Sequence, residues 1–239
     1  MNAMGYSVGV EDIEPGHWVA YVLALPGCFN TADSEEHAVS GAPKAVQDWF
    51  YWMYAHTGMA DMADDFSAES YAIGNVESFY AHPAAEDPEY LVNAFFEEDA
   101  RPLLFSELLD GLELMEYTRA DMLSLVNGFS PKVLNTPIPG DTRFGSIAGI
   151  LKHVAVVEWW YCERMGLVDF DWSSLPEDPL QALEVVRANT VSRLPDLTDD
   201  PRVNELVGER WSARKVLRRA LWHERDHTEH IRKLLKANS

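Results

Sequence analysis

Residues Trp222–Ile231 read WHERDHTEHI, and this short stretch gives the strongest indication of the fold. Its histidines, His223, His227 and His230, lie at positions i, i+4 and i+7. At about 100° per residue on an α-helix, the three fall within a stripe about 60° wide. The same stripe carries the apolar residues Val216, Ala220, Ile231 and Leu234. The pattern therefore predicts an amphipathic helix whose histidines face a protein core.

A second stretch, Phe144–Met165, reads FGSIAGILKHVAVVEWWYCERM. Ser146 is a good N-cap for a helix that runs to Met165 and stops at Gly166. On that helix His153 shares its stripe with small and apolar residues, namely Gly149, Ile150, Val156, Val157 and Trp160. His153 is therefore also predicted to point inward.

Inward-facing histidines on two helices of one bundle can converge on a single ion. Imidazole nitrogens bind zinc, nickel, copper or iron, so we predict a divalent metal site formed by His153, His223 and His227. Three protein ligands leave positions for water or substrate, as in catalytic sites. His230 could compete with His227 or supplement it. Cys162, nine positions after His153, is predicted on the opposite face of its helix.

Other readings of these residues stay open. Each histidine on its own is compatible with a hydrogen-bonded core position. His223-Glu224-Arg225-Asp226-His227 also matches the H-E-x-x-H pattern of zinc proteases, but only 12 residues follow His227 to supply a third ligand. A pocket beside the metal is predicted to involve Trp160, Arg219 and His230.

The rest of the second half predicts two more helices. One covers about residues 106–126, with Gly128 just past its end in a left-handed conformation. Another opens at Asp178-Pro179 and closes at Pro195. Ser212 is the predicted cap of the helix that carries the histidine pair. Four amphipathic helices joined by such loops indicate a four-helix bundle.

The first half reads differently. Three short runs rich in β-formers and a later one predict strands, at Tyr6–Val10, Trp18–Leu25, Cys28–Thr31 and Ser70–Tyr80. A helix through Met53 is predicted between the third and fourth strands, capped by Asp33 or Ser34. The fold class is therefore α+β, with a small α/β domain over residues 1–98 and a helical bundle over residues 99–239.

Charge and composition exclude several classes of protein. The net charge is −20, and residues 1–100 hold 18 acids against one base, Lys44. Such a segment repels phosphate backbones, so we expect no nucleic-acid partner. No apolar run approaches the roughly 20 residues that span a bilayer, and the amino terminus does not resemble a secretory signal. Two distant cysteines fit a cytoplasmic protein without membrane contact.

The segments Phe144–Met165 and Ala220–Leu235 (ALWHERDHTEHIRKLL) together resemble the DinB superfamily of metal-binding four-helix bundles. The resemblance covers about residues 106–235. It implies a divalent metal, often nickel or zinc, on His153, His223 and His227. It also implies that the protein acts as a metal-dependent transferase using a low-molecular-weight thiol on a small electrophilic substrate. Because a bound ion can activate water as well as a thiol, a hydrolase is the other form of this enzyme hypothesis.

The segment HWVAYVLALPGCFNTADSEEHAVSGAPKAV, which begins at His17, is similar to HicB-like domains. This second resemblance covers about residues 5–80 and implies a regulatory or dimer-forming role. The alternative to an enzyme is therefore a partner-binding or regulatory protein, a possible homodimer, in which the metal is structural. An exchangeable position beside the metal, facing a polar pocket, would distinguish the enzyme from this alternative.

Overall fold

The computed structural model describes residues 4–59, 67–68 and 71–237. It confirms the α+β class, since strands dominate the first part of the chain and helices the second. The chain forms two compact units. The first comprises the residues up to Arg101 together with Val203–Arg218, and the second comprises Pro102–Arg202 together with the residues from Arg219 onward. Within the described ranges, no helix combines the length and the apolar character needed to cross a membrane.

The first unit is built around a four-stranded sheet. Its strands are β1 (Met4–Glu14), β2 (His17–Val22), β3 (Phe29–Ala32) and β4 (Tyr71–Tyr80). The strand order is β3-β2-β1-β4, with β1 antiparallel to β2 and parallel to β4. The four strands overlap the predicted ones, but β2 ends at Val22 and not at the predicted Leu25. Ser70, the first residue of the predicted fourth strand, is outside the described residues.

Two helices, α1 (Glu35–Ser40) and α2 (Ala42–Thr57), replace the one helix predicted after the third strand. The predicted cap is present, because the Ser34 hydroxyl accepts a hydrogen bond from the His37 amide at 3.3 Å. Gly41 separates the two helices, and Pro43 lies in the first turn of α2. Proline has no amide hydrogen and clashes with the carbonyl four residues earlier, so one continuous helix cannot form there.

Two short hairpins complete the first unit. They pair β5 (His82–Pro83) with β6 (Leu91–Val92) and β7 (Asn204–Leu206) with β8 (Glu209–Trp211). The second hairpin lies within the range 99–239 that the sequence assigns to the bundle, and it was not predicted. Its turn places both Val207 and Gly208 at positive φ, 54° and 75°.

The basic residues at the start of the last helix are buried within the first unit. Lys215 is 0% exposed and its ammonium group lies 2.6 Å from Glu209 Oε1. Arg218 donates two hydrogen bonds to Asp99, at 3.0 and 2.6 Å. A solvated basic face, the usual explanation of such a charge pattern, is therefore wrong for these two residues.

The second unit is helical. Its helices are α3 (Phe105–Val126), α4 (Pro131–Leu134), α5 (Ile147–Arg164), α6 (Pro179–Arg193) and the part of α7 (Ala213–Ala237) that follows Arg218. The four long helices match the predicted ones, and the single turn of α4 lies in the predicted proline loop. The predicted caps are formed as well, since Ser146 accepts from the Gly149 amide and Asp178 from the Leu180 amide.

The core of the second unit joins its long helices. Buried residues come from each of them and include Met122, Leu151, Val154, Leu183, Val186 and Ile231. Their burial fixes which face of each helix points inward. On α5 and α7 the histidine stripes share this inward side, as their apolar neighbours predict.

Candidate metal centre

Three histidines meet inside the second unit. His153 lies two turns into α5, and His223 and His227 lie one turn apart on α7. One ring nitrogen of each lies within 4.8 Å of the other two, and the Nε2 atoms of His153 and His223 are 3.1 Å apart. The ring centroids are separated by 4.5 to 5.0 Å. The structure thus brings together the three residues that the sequence singles out as ligands.

The environment of the cluster keeps the imidazoles neutral. Burial, followed by the charge of Arg143, lowers the pKa of His153 to about 4. Burial is also the main cause that lowers the pKa of His227 to about 3 and that of His223 well below its usual value. Neutral imidazole is the protonation state that binds metal ions.

Two further observations support the fit of a metal ion to the cluster. The Nδ1 atom of His227 is buried and has no hydrogen-bond partner among the described residues. Buried polar atoms in native proteins are normally satisfied, so this atom calls for a partner such as an ion or ordered water. Nitrogen ligands at about 2.0–2.1 Å from one ion lie about 2.9–3.4 Å apart, which includes the 3.1 Å between His153 and His223.

Phe144 is a neighbour of the cluster that sequence reasoning missed. Its ring centroid lies 5.0 Å from that of His153, 5.3 Å from His227 and 5.8 Å from His230. The residue precedes the Ser146 cap, so the start of α5 determines its position. The guanidinium carbon of Arg143 lies over this ring, 5.2 Å from its centroid. The one sequence signal for this role of Phe144 was its position just before the Ser146 cap of the helix that carries His153.

The three predicted pocket residues lie at different places around the cluster. His230 is outside the three-nitrogen group, with its ring centroid 6.0 Å from that of His227. Arg219 is buried and its guanidinium lies 4.5 Å from the Trp222 ring centroid and 5.9 Å from that of Tyr161. The Tyr161 ring is 6.1 Å from the His223 ring and 5.5 Å from that of Trp160. The Tyr161 ring therefore lies beside Trp160, Arg219 and His223.

Glu224, the glutamate of the H-E-x-x-H match, belongs to a buried ionic network. Its carboxylate accepts hydrogen bonds from Thr118 at 2.6 Å and from Arg187 at 2.6 Å, and it contacts Arg119 as well. Burial alone would raise the pKa of Glu224, but Arg187 and Arg119 lower it to about 2. A carboxylate so acidic and so fully bonded is a poor general base, which argues against the peptidase reading.

The arginine–glutamate network consists of Arg119, Glu158, Arg187 and Glu224, one residue from each of α3, α5, α6 and α7. Arg119 donates to Glu158 at 2.9 Å, and Arg187 donates to both oxygens of Glu158 at 2.8 and 3.1 Å. Each arginine therefore contacts both glutamates. Thr190 also donates to Glu158, at 2.8 Å. Sequence reasoning did not foresee this network.

The fold and the site define the second unit as a helical bundle with a three-histidine cluster in its core. Comparison with known families agrees: residues 114–231 match the model of the DinB superfamily. This confirms the resemblance predicted for the helical part of the chain, which is DinB-like. The comparison with curated proteins finds no match. The HicB-like resemblance of the first unit stays a prediction.

Proposed function

We propose that this DinB-like protein binds a divalent metal ion, nickel or zinc, through His153, His223 and His227. The observation that carries the proposal is the convergence of three ring nitrogens from two helices within 4.8 Å, two of them on the buried His223 and His227 and one on the partly buried His153. The lowered pKa values and the unsatisfied Nδ1 atom of His227 support it. His230 lies outside the group, so the proposed site has three protein ligands.

We further propose that the protein is a metal-dependent thiol S-transferase or a hydrolase that acts on a small electrophilic substrate. A bound ion would lower the pKa of a thiol or water and hold it as a nucleophile. A cavity of about 620 Å³ is lined by Gly149 and Lys152 of α5, but none of His153, His223 and His227 lines it, so it is separate from the proposed site.

The residues near the cluster have separate parts in this proposal. The histidines hold the ion, and the Phe144 ring keeps water from one side of His153 and His227. Arg219, packed on Tyr161, provides positive charge for a substrate carboxylate. A cytoplasmic location belongs to the proposal, since low-molecular-weight thiols are abundant in reducing compartments.

For the first unit we propose a HicB-like accessory role, in regulation or in forming a homodimer. Its support is the order of elements: strand β2, the turn at Pro26-Gly27-Cys28, strand β3, and a helix that begins with Glu35 and Glu36. If the metal proves structural, this unit would carry the function by binding a partner protein.

Metal analysis by inductively coupled plasma mass spectrometry tests the site. We expect near-stoichiometric nickel or zinc in the tag-free wild type and a loss of at least tenfold in a His153→Ala, His227→Ala double variant. A His37→Ala, His82→Ala double variant is the matched control, because it removes two histidines of the first unit. Metal that persists in the ligand variant, or that is absent from the wild type after incubation with divalent ions, would refute the proposal.

A second assay separates the enzyme from the structural alternative. The metal-loaded wild type and the metal-free ligand variant are each incubated with an electrophile and one of bacillithiol, mycothiol or glutathione, and the losses of thiol and of electrophile are both measured. Faster thiol loss or electrophile hydrolysis with the wild type supports the enzyme. Bound metal without either reaction favours the partner-binding alternative.

A further inference from the structure

The arginine–glutamate network and the histidine cluster use the same two helices. Glu158 follows His153 by five residues on α5, about 7.5 Å along the helix axis. Glu224 directly follows His223 on α7, about 1.5 Å along the axis. Arg119 and Arg187 contact both carboxylates, so the helices that carry the candidate ligands are joined through a shared pair of arginines.

A gain in the stability of the folded protein is by itself a weak explanation for such a buried network. Burying ion pairs costs much of what their attraction gains, and apolar side chains of similar volume often stabilise a core as well. Directional bonds, however, fix the distance and rotation of helices more narrowly than apolar contacts do. A metal site needs that precision, since its ligands must be held within about 0.5 Å of a productive geometry.

We infer that Arg119 and Arg187 are positioning residues for the metal site. By binding Glu158 and Glu224 together they fix the separation and rotation of α5 against α7. The imidazoles of His153, His223 and His227 then converge before an ion arrives. The inference rests on the proposed function, and it adds the residues that prepare the site without touching the ion.

The further bonds of the two arginines agree with a positioning role. Arg119 donates to the Leu183 carbonyl at 2.7 Å, and Arg187 donates to the Met115 carbonyl. The side chains of Arg119 and Arg187 are only 10% and 11% exposed. Each guanidinium thus has backbone and carboxylate partners on separate helices, which restricts its movement and that of the helices it joins.

Titration of the metal-free full-length chain with Co²⁺ tests the inference. Visible absorption reports both the affinity and the geometry of the bound ion. We expect Arg187→Met and Glu158→Gln each to weaken Co²⁺ binding about tenfold and to change the absorption bands, as loss of outer-shell partners does elsewhere. Glu158→Gln keeps the shape of the side chain, so it decides the question if Arg187→Met does not fold.

The signs of the two effects separate positioning from simple electrostatics. Arg187→Met leaves a net negative charge in the network and Glu158→Gln a net positive one. A charge effect alone would therefore tighten Co²⁺ binding in the first variant and weaken it in the second, and that result would overturn the inference. Weaker binding in both variants supports it.

Leu108→Ala is the matched control for lost stability, because Leu108 is a buried residue of α3 outside the network. It removes a buried apolar side chain and so lowers stability, while both arginines and both glutamates remain. We expect its Co²⁺ affinity to stay within about twofold of the wild type. An equal loss of affinity in this control, or unchanged binding and spectra in the network variants, would refute the inference. A wild type that binds no Co²⁺ would refute the proposed function itself.

Discussion

Replacing Gly149 by alanine tests how the start of α5 sets the cluster. A Cβ atom at this position would lie 1.9 Å from the Phe144 carbonyl oxygen and 2.9 Å from its carbonyl carbon, whereas ordinary contacts begin at 3.4 Å. The obstructing atoms are backbone, so the chain at Phe144 must retreat by more than about 1 Å. The Phe144 ring, in contact with His153 and His227, would move with it.

Two opposing terms set the size of the effect. Alanine is favoured over glycine inside a helix by about 1 kcal/mol. Overpacking against a buried neighbour costs about 1–3 kcal/mol, and the cost is near the upper end when backbone has to move. We therefore expect Gly149→Ala to lower the free energy of unfolding of the second unit by about 1–2 kcal/mol.

Urea unfolding followed by circular dichroism measures this change, with chelator present so that bound metal does not add to stability. A Co²⁺ titration of the same variant is expected to show weaker binding. Gly166→Ala is the control, because φ is 70° there and a Cβ atom would meet nothing within 4 Å. It should cost about 1–2 kcal/mol through backbone strain and leave Co²⁺ binding unchanged. A Gly149→Ala protein as stable as the wild type would refute the reasoning.

Three further predictions concern buried and exposed charges. Arg187→Met and Glu158→Gln should each lower the free energy of unfolding by about 3–5 kcal/mol, and the double variant by less than their sum, as a urea double-mutant cycle measures. Burial raises the pKa of Cys162 to about 12, so iodoacetamide at pH 8 should modify it only in urea, as peptide mass mapping shows. The hydrogen bond and charge of Asp33 raise the pKa of His37, an elevation that an NMR titration should find and Asp33→Asn should remove.

The controls for these predictions follow from the same contacts. Arg193→Met removes an exposed arginine of α6 and should change stability by less than about 0.5 kcal/mol. Additive effects in the double-mutant cycle would show that the network residues do not interact, and alkylation of native Cys162 would contradict its burial. The pKa of His37 is raised in the folded state. Any stability that protonated His37 contributes is therefore fully present below pH 6.5 and is lost as the pH rises through the folded-state pKa.

Helix ends and inward faces were predictable because their causes are local. Ser146, Asp178 and Gly166 act on backbone groups within a few residues, and the histidine stripes repeat with the helical period. Proline at position 43 also carried a local signal for the break between α1 and α2, but the apolar repeat that continues through it indicated one helix.

Contacts between distant parts of the chain were not predictable in this way. The bonds of Glu158 and Glu224 to Arg119 and Arg187 join residues that are 29 to 105 positions apart. A charged residue on a helix is exposed far more often than buried, so a single sequence favours the wrong environment. The hairpin of β7 and β8 was missed because strands of three residues are too short for an alternating pattern, and valine rarely adopts positive φ.

The H-E-x-x-H match shows that the role of a residue in a short sequence motif depends on the side chains packed around it. Residue i+1 lies about 100° around the helix from residue i, so Glu224 leaves the face that His223 and His227 share. In this bundle that direction leads to α3 and α6, where Arg119 and Arg187 bind the carboxylate. The packing of the bundle thus gives Glu224 a role in joining helices. The third histidine of the cluster, His153, lies on α5, upstream of both in the sequence.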